Sequence, residues 1–186
     1  MTDRSGDITR WLNAWRDGDP DAMERLMPMV GDALRHIAER HLQREVVGHT
    51  LSPTALVHEA WLRLVERSQA QYEDRVHFLA VASRVMRRVL VDHARRARAA
   101  KRVAPTAIDT SQLASPHDDW AVTLIALDTA MDRLAQIEPR LAQVVDCRFF
   151  GGLTEDETAV ILEVSSRTVH RDWLRARAWL EIALRD

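Results

Sequence analysis

Cysteine is almost missing from this chain: Cys147 is the only one in 186 residues. One thiol forms no internal disulfide and no cysteine-based metal cage, which fits a reducing compartment. Glycine and proline are scarce, six each. With so few breakers and so much Ala, Leu, Arg and Glu, the composition points to an all-helical protein. Aromatic residues make up 5% of the chain while 46% is hydrophobic, so any core is mostly aliphatic. No apolar run approaches the roughly 18 to 20 residues of a membrane span. The start, Met1 to Asp7, is polar and lacks a signal-peptide pattern. The expectation is a cytoplasmic protein with no membrane partner. Lysine is also nearly absent, since Lys101 is alone and every other basic side chain of this type is Arg. Arg suits bidentate phosphate and guanine contacts, but such uniform use follows equally from genomic base composition.

What is present is helical periodicity, interrupted once. Ile8 to Arg16 is a short amphipathic stretch with Trp11 and Trp15 one turn apart. Asp19-Pro20 is a cap-then-proline start. The run that follows has Met23, Leu26, Met27, Val30, Leu34, Ile37, Ala38 and Leu42 at helical spacing and should end before Gly48. Ser52-Pro53 repeats the start signal ahead of Leu56, Val57, Ala60, Trp61, Leu64 and Val65. A polar connection, Ser68 to Arg75, leads to a long helix from about Val76 to Lys101. Residues 104–119 hold Pro105, Pro116, Ser, Thr and Asp with no sustained period, which reads as a flexible linker. Further helices are expected over about 120–135, 140–149, 155–163 and 167–184. The fold class is therefore all-α, with two small helical domains, 1–103 and 120–186, joined by the linker.

The net charge of −2 conceals an uneven distribution. From Arg84 to Arg102 eight basic residues face one acid, Asp92, a local charge of +7. From Val103 to Pro139 six acids face one base, Arg133, a local charge of −5. Near-neutrality overall does not argue against nucleic acid; it says that particular faces bind it.

Thr154-Glu155-Asp156-Glu157 spells a capping box, in which Thr154 and Glu157 satisfy each other's backbone amides. The helix it opens should bury Ala159, Ile161 and Leu162 and end at Val164-Ser165-Ser166, with Ser166 as the next cap. In the following helix Val169, Trp173, Ala176 and Leu180 make an inward stripe. Arg167, His170, Arg171, Leu174 and Arg175 lie opposite. Helix, short turn and basic second helix is how helix-turn-helix proteins enter the major groove. The pattern alone equally describes a helical hairpin with a solvated arginine face.

The wider sequence resembles a known family. Ile137-Glu138-Pro139-Arg140, Val144-Val145 and Arg148-Phe149-Phe150-Gly151-Gly152-Leu153-Thr154 resemble the start of domain four of bacterial RNA polymerase sigma factors. Arg167-Thr168-Val169-His170-Arg171-Asp172-Trp173 resembles that domain's recognition helix. Pro53 to Val65 resembles the clamp-binding helix of domain two, and Phe78 to Arg96 its promoter-melting helix. The match spans nearly the whole chain in the expected order and leaves no room for domain three. That is the layout of the extracytoplasmic-function (group IV) sigma factors. The resemblance implies a transcription initiation factor that binds core RNA polymerase and directs it to −35/−10 promoter DNA. It implies −35 contacts by Arg167, Thr168, His170, Arg171, Leu174 and Arg175. It implies −10 contacts by Arg84, Arg87, Arg88 and Arg95, and core polymerase contacts by Leu56, Val57, Glu59, Trp61 and Leu62. The loop Ser68 to Arg75 corresponds to the element receiving a flipped −10 base. Stacking planes for bases in domain two are few, chiefly Tyr72, His77 and Phe78. In the family the linker threads the polymerase, where its acids can mimic nucleic acid.

The sequence departs from the family where acids usually open the clamp-binding helix; here Ser52-Pro53-Thr54-Ala55 stands. Phosphorylation of Thr54 would add about −1.5 to −2 charge at a helix start, where an anion is favoured. The plainer reading makes Ser52 an N-cap and Thr54 a surface residue. Candidate regulators are an anti-sigma factor or a Ser/Thr kinase. Arg88 and Val81 stand where the family often has Asn and Trp, so the −10 preference is not transferable from relatives.

Two other classes compete. An enzyme would use the histidines, but His58-Glu59 lacks an HExxH partner because position 62 is Leu62, and Asp92-His93 lies among arginines. No metal or other cofactor is expected. A stand-alone helix-turn-helix regulator would bind duplex DNA without polymerase, as a dimer.

Overall fold

The computed structural model describes residues 4–42, 52–66, 75–103 and 116–185. These form α1 (Arg4–Arg16), α2 (Asp21–Leu42), α3 (Pro53–Glu66), α4 (Arg75–Val103), α5 (Pro116–Ile137), α6 (Pro139–Val145), a π-helical turn (Asp146–Phe150), α7 (Glu155–Leu162) and α8 (Ser166–Ala183), with no strand among the described residues. The expected all-α class is the class found. α4 and α5 extend past their expected ends on both sides, whereas α7 and α8 each stop one residue short of theirs. The last four residues of the expected linker, Pro116 to Asp119, are the first turn of α5. The loop 68–74, with Tyr72, and residues 104–115 lie outside the described residues.

The first half is built on apolar stripes. Leu26, Val30, Leu34 and Ala38 recur every four residues along α2 and are buried with Ile8 and Leu12 of α1. Trp11 is flanked by the guanidiniums of Arg10 and Arg25, 4.7 and 4.6 Å from its ring centre. The Asp19 carboxylate accepts the Asp21 amide at 2.9 Å, as a cap should. Pro28 lies within α2 on its exposed side and forfeits one helical bond there. Ser52 caps α3, accepting the Ala55 amide at 3.1 Å. Leu56, Val57, Ala60, Trp61 and Leu64 then point inward onto α4, whose Phe78, Ala82, Val85, Met86, Val89 and Leu90 are buried.

In the second half Leu124, Met131 and Leu134 line the inner face of α5. Pro139 starts α6 at its first positions, where a missing amide costs nothing. The capping box is realised: Thr154 Oγ1 accepts the Glu157 amide at 3.2 Å, and the Glu157 carboxylate accepts the Thr154 amide at 2.9 Å. α7 buries Thr158 and Ala159, whereas Ile161 and Leu162 are only half-buried. Its end is marked by Glu163 in the left-handed region, φ 53°. Ser165, not Ser166, caps α8 by accepting the Thr168 amide; Ser166 Oγ instead donates to Asp156.

The halves on either side of residues 104–115 touch extensively. α4 packs along α5 and across the π-helical turn. One core cluster accordingly runs from Ile8 to Leu180, with Phe150 and Met131 fully buried in it. Gly151 is where the approach is closest. A Cβ there would collide with Ser83 Oγ of α4 and lie 2.9 Å from Ser83 Cβ and 2.7 Å from the Cys147 carbonyl oxygen.

Candidate nucleic-acid interface

α8 turns two unlike faces. Val169, Ala176 and Leu180 are buried, and Trp173 is half-buried beneath them. Val144 of α6 and Ala159 of α7 close a small core around Val169, fixing α8 against α7. Outward stand Arg167, His170, Arg171, Leu174 and Arg175, all exposed, with Thr168 half-buried. Thr168 is tied into the cap of its own helix: its Oγ1 lies 2.9 Å from Ser165 Oγ.

Three of these side chains, His170, Arg171 and Arg175, are aimed by acids. His170 Nδ1 lies 3.1 Å from Glu155 Oε1. A carboxylate only accepts, so Nδ1 is the donor in this contact, and Nε2 is turned away from it. Arg175 Nη2 donates to Glu138 at 2.9 Å. Asp172 is the less expected member. Its side chain is 0% exposed although it interrupts a basic helix. Arg140 Nε of α6 donates to one oxygen at 2.7 Å, Arg171 Nε donates to the other at 3.3 Å, and Arg175 Nη1 is 4.0 Å away. A buried carboxylate needs such company, because an unpaired one would be costly. Glu138, Arg140, Glu155 and Asp172 were not singled out as site residues by the sequence. The inward phase of Asp172, three residues after Val169 and four before Ala176, was the readable signal.

The second arginine set lies along α4. Arg84, Arg88 and Arg95 are exposed, but Arg87 is only 12% exposed. Its Nε donates to Asp128 Oδ1 at 2.9 Å, and its Nη2 donates to the Asp128 carbonyl at 3.0 Å and to Asp132 Oδ1 at 2.7 Å. Arg95 Nη2 donates to the other oxygen of Asp128 at 3.0 Å. From the π-helical turn, Asp146 Oδ1 stands 3.7 Å from Arg87 Nη1, an ion pair too long for a hydrogen bond. Burial pushes the Asp146 carboxyl up to about 6, against the opposing pull of Arg87 and Arg84. For Arg87 burial acts against the charge, but Asp146 and Asp128 outweigh it and the net direction is upward. Burial, aided by Asp146, pushes the Cys147 thiol up to about 12, so it is unreactive at neutral pH. A cleft of about 360 Å³ remains between the four arginines and Asp128, Asp132 and Asp146.

The third set, on α3, divides between core and surface. Leu56, Val57 and Trp61 are buried in the protein's own core. Among the five expected core polymerase contacts, only Leu62, 58% exposed, and half-buried Glu59 reach the surface. Resemblance aligns positions along a helix, whereas the apolar stripe decides which of them turn inward. The outer face of α3 is instead Ser52, Thr54, Ala55, His58 and Leu62. Glu59 is engaged: Arg63 and Arg96 each donate to it at 2.9 Å, and Arg63 also pairs with Asp92 at 2.8 Å. Pairs this exposed contribute about 0–1 kcal/mol each, so they align α3 on α4 more than they stabilise it. Phe78, expected as a stacking plane, is buried in the core. Thr54 is exposed on the first turn of α3, one residue after Pro53.

Among the described residues no helix is long and apolar enough to cross a membrane. Compared with known families, residues 5–186 match the family described as ECF sigma factor. No curated protein matches the chain.

Proposed function

The chain belongs to the ECF sigma factor family, and from that premise we propose that it binds core RNA polymerase and directs it to promoters with −35 and −10 elements. Sigma-factor transcription initiation is the role the family gives it; the division of labour below is our own reading. α8 reads the −35 duplex. The observation carrying this is a basic, exposed helix face on a capped helix-turn-helix, with Arg167, His170, Arg171 and Arg175 outward and Val169 locking the helix from behind. Arg171 and Arg175 suit guanine edges or phosphates, Thr168 and His170 suit backbone and base contacts, and Leu174 suits a thymine methyl.

α4 addresses the −10 element through Arg84, Arg87, Arg88 and Arg95, which supply cations to a separated strand. The outer face of α3 meets the polymerase clamp, with Leu62 as its apolar contact and Glu59 at its edge. Thr54 is proposed as a regulatory phosphorylation site for a Ser/Thr kinase. Ser52 already supplies the cap, so a phosphate on exposed Thr54 would add charge at the helix start without disturbing it. An anti-sigma factor is the other candidate regulator.

The test is run-off transcription with purified core polymerase on a randomised promoter library. Defined start sites that depend on this protein, and that weaken with Arg171→Ala, support the reading. Tight binding to one duplex without core, as a dimer and with no transcripts, would instead make it a stand-alone regulator. For Thr54, pull-down of core by wild type, Thr54→Ala and Thr54→Glu is decisive: stronger capture by Thr54→Glu is expected, and equal capture by all three removes the switch.

A further inference from the structure

The most basic and the most acidic segments of the chain are folded against each other. Arg87 and Arg95 reach from α4 to α5, and the side-chain oxygens that receive them are carboxylates at 2.7–3.0 Å. That is the spacing and charge a nucleic-acid phosphate would offer the same guanidiniums. We propose that Asp128 and Asp132 of α5, with Asp146 of the π-helical turn, form an internal substitute for the nucleic-acid backbone that masks Arg87 and Arg95 in the free chain. Single-stranded DNA and this acidic face then compete for one set of arginines. The proposal rests on the reading of α4 as a DNA-facing helix.

The mask is tight at its centre and loose at its rim. Arg87 and Asp128 are 12% and 14% exposed, whereas Arg95 and Asp132 are open to water at 55% and 70%. The cleft beside them admits solvent and ions to Arg84, Arg87, Arg88 and Arg95. Among the described residues Asp146 Oδ1 has no hydrogen-bond partner. A competing polyanion can therefore displace the rim first and reach Arg87 through it. The Gly151–Ser83 approach lies on the same boundary between halves, so release of Arg87 is coupled to separation of α4 from the π-helical turn.

The experiment measures fluorescence anisotropy of a labelled oligothymidylate of roughly 20 nucleotides, which is long enough for a channel-type site, together with small-angle scattering of the free chain. Asp128→Asn/Asp132→Asn is compared with a charge-matched control, Glu24→Gln/Glu163→Gln, and with Asp128→Asn/Asp132→Asn/Arg87→Ala. The double variant should bind about tenfold more tightly than the control, since two charge-assisted contacts become available. Adding Arg87→Ala should remove most of that gain. Asp132→Asn alone lies at an exposed position that folding does not depend on, and it should show about a threefold gain from its single contact. Wild-type scattering should give a radius of gyration of roughly 16 Å, as for one packed body of this length. Equal binding by the double variant and the control, a gain that survives Arg87→Ala, or a wild-type radius of separated halves overturns the proposal. If binding responds as expected but no promoter is transcribed, the sigma reading of α4 fails while the mask stands.

Discussion

Two arginine rows of similar composition meet very different surroundings. On α8 His170, Arg171 and Arg175 are steadied by acids of their own half and still face water; the Arg171 side chain is 62% exposed. On α4 the central residue, Arg87, has three acids from the other half and is nearly covered. Acids near α8 act as supports behind the row, whereas acids near α4 stand in front of it. Charge and residue type therefore do not say which surface is ready for DNA. The position of the compensating carboxylate does. On this reading α8 can engage duplex as the chain stands, and α4 needs the halves to part.

The comparison breaks most completely if the halves lose their shared core. Phe150 is fully buried at the end of the π-helical turn, packed edge-to-face with Phe149 at 4.9 Å. Phe150→Ala should cost about 3–5 kcal/mol, read by urea unfolding. Next in size is the contrast in duplex binding. Arg171→Ala should weaken promoter-duplex binding by about 1–3 kcal/mol, or reduce the salt slope by about one if its contact is to phosphate. Arg87→Ala in the free chain should leave duplex affinity nearly unchanged. Equal losses at both positions would erase the distinction between the rows.

Asp146 gives a pH test. It faces Arg84, Arg87 and His77 from α4, Asp128 from α5 and neighbouring Cys147. Its folded pKa, about 6, lies above the ordinary 3.8. The folded chain therefore holds this proton more strongly than the unfolded chain. That contribution is complete below about pH 4 and is lost as pH rises through about 6. Asp146→Asn should thus raise stability at pH 7.5 by about 1–3 kcal/mol and flatten the pH 4–6 dependence of thermal unfolding. A variant less stable than wild type at pH 7.5 would show that the ion pair with Arg87 outweighs burial. The smallest expected effect is at Glu163, held at φ 53°. Glu163→Gly should stabilise by about 0.5–1 kcal/mol, through relief of left-handed strain, without changing DNA binding.

Much of α7 and α8 was legible in the sequence because its signals are local. Thr154 and Glu157 three residues apart, and Val169, Ala176 and Leu180 at helical spacing, specify caps and a stripe without reference to the rest of the fold. The α4 arginine row was legible for the same reason. Its covering was not, since Arg87 and Asp128 are 41 residues apart and no periodicity encodes which acids meet which bases. The only hint was the alternation of a +7 segment with a −5 segment. The inward direction of Leu56, Val57 and Trp61 was present in the apolar stripe, which a positional resemblance along the helix does not encode. The π-helical turn at Asp146–Phe150 and the left-handed Glu163 at the end of α7 carry no sequence signal of their own.

The contrast between the rows is most directly read from arginine reactivity. Phenylglyoxal labelling of the free chain, resolved by residue with mass spectrometry, should modify Arg167, Arg171 and Arg175 early. Arg87 should remain protected until Asp128→Asn/Asp132→Asn exposes it. Labelling of Arg87 in the wild-type chain as fast as Arg171 would contradict the masked arrangement.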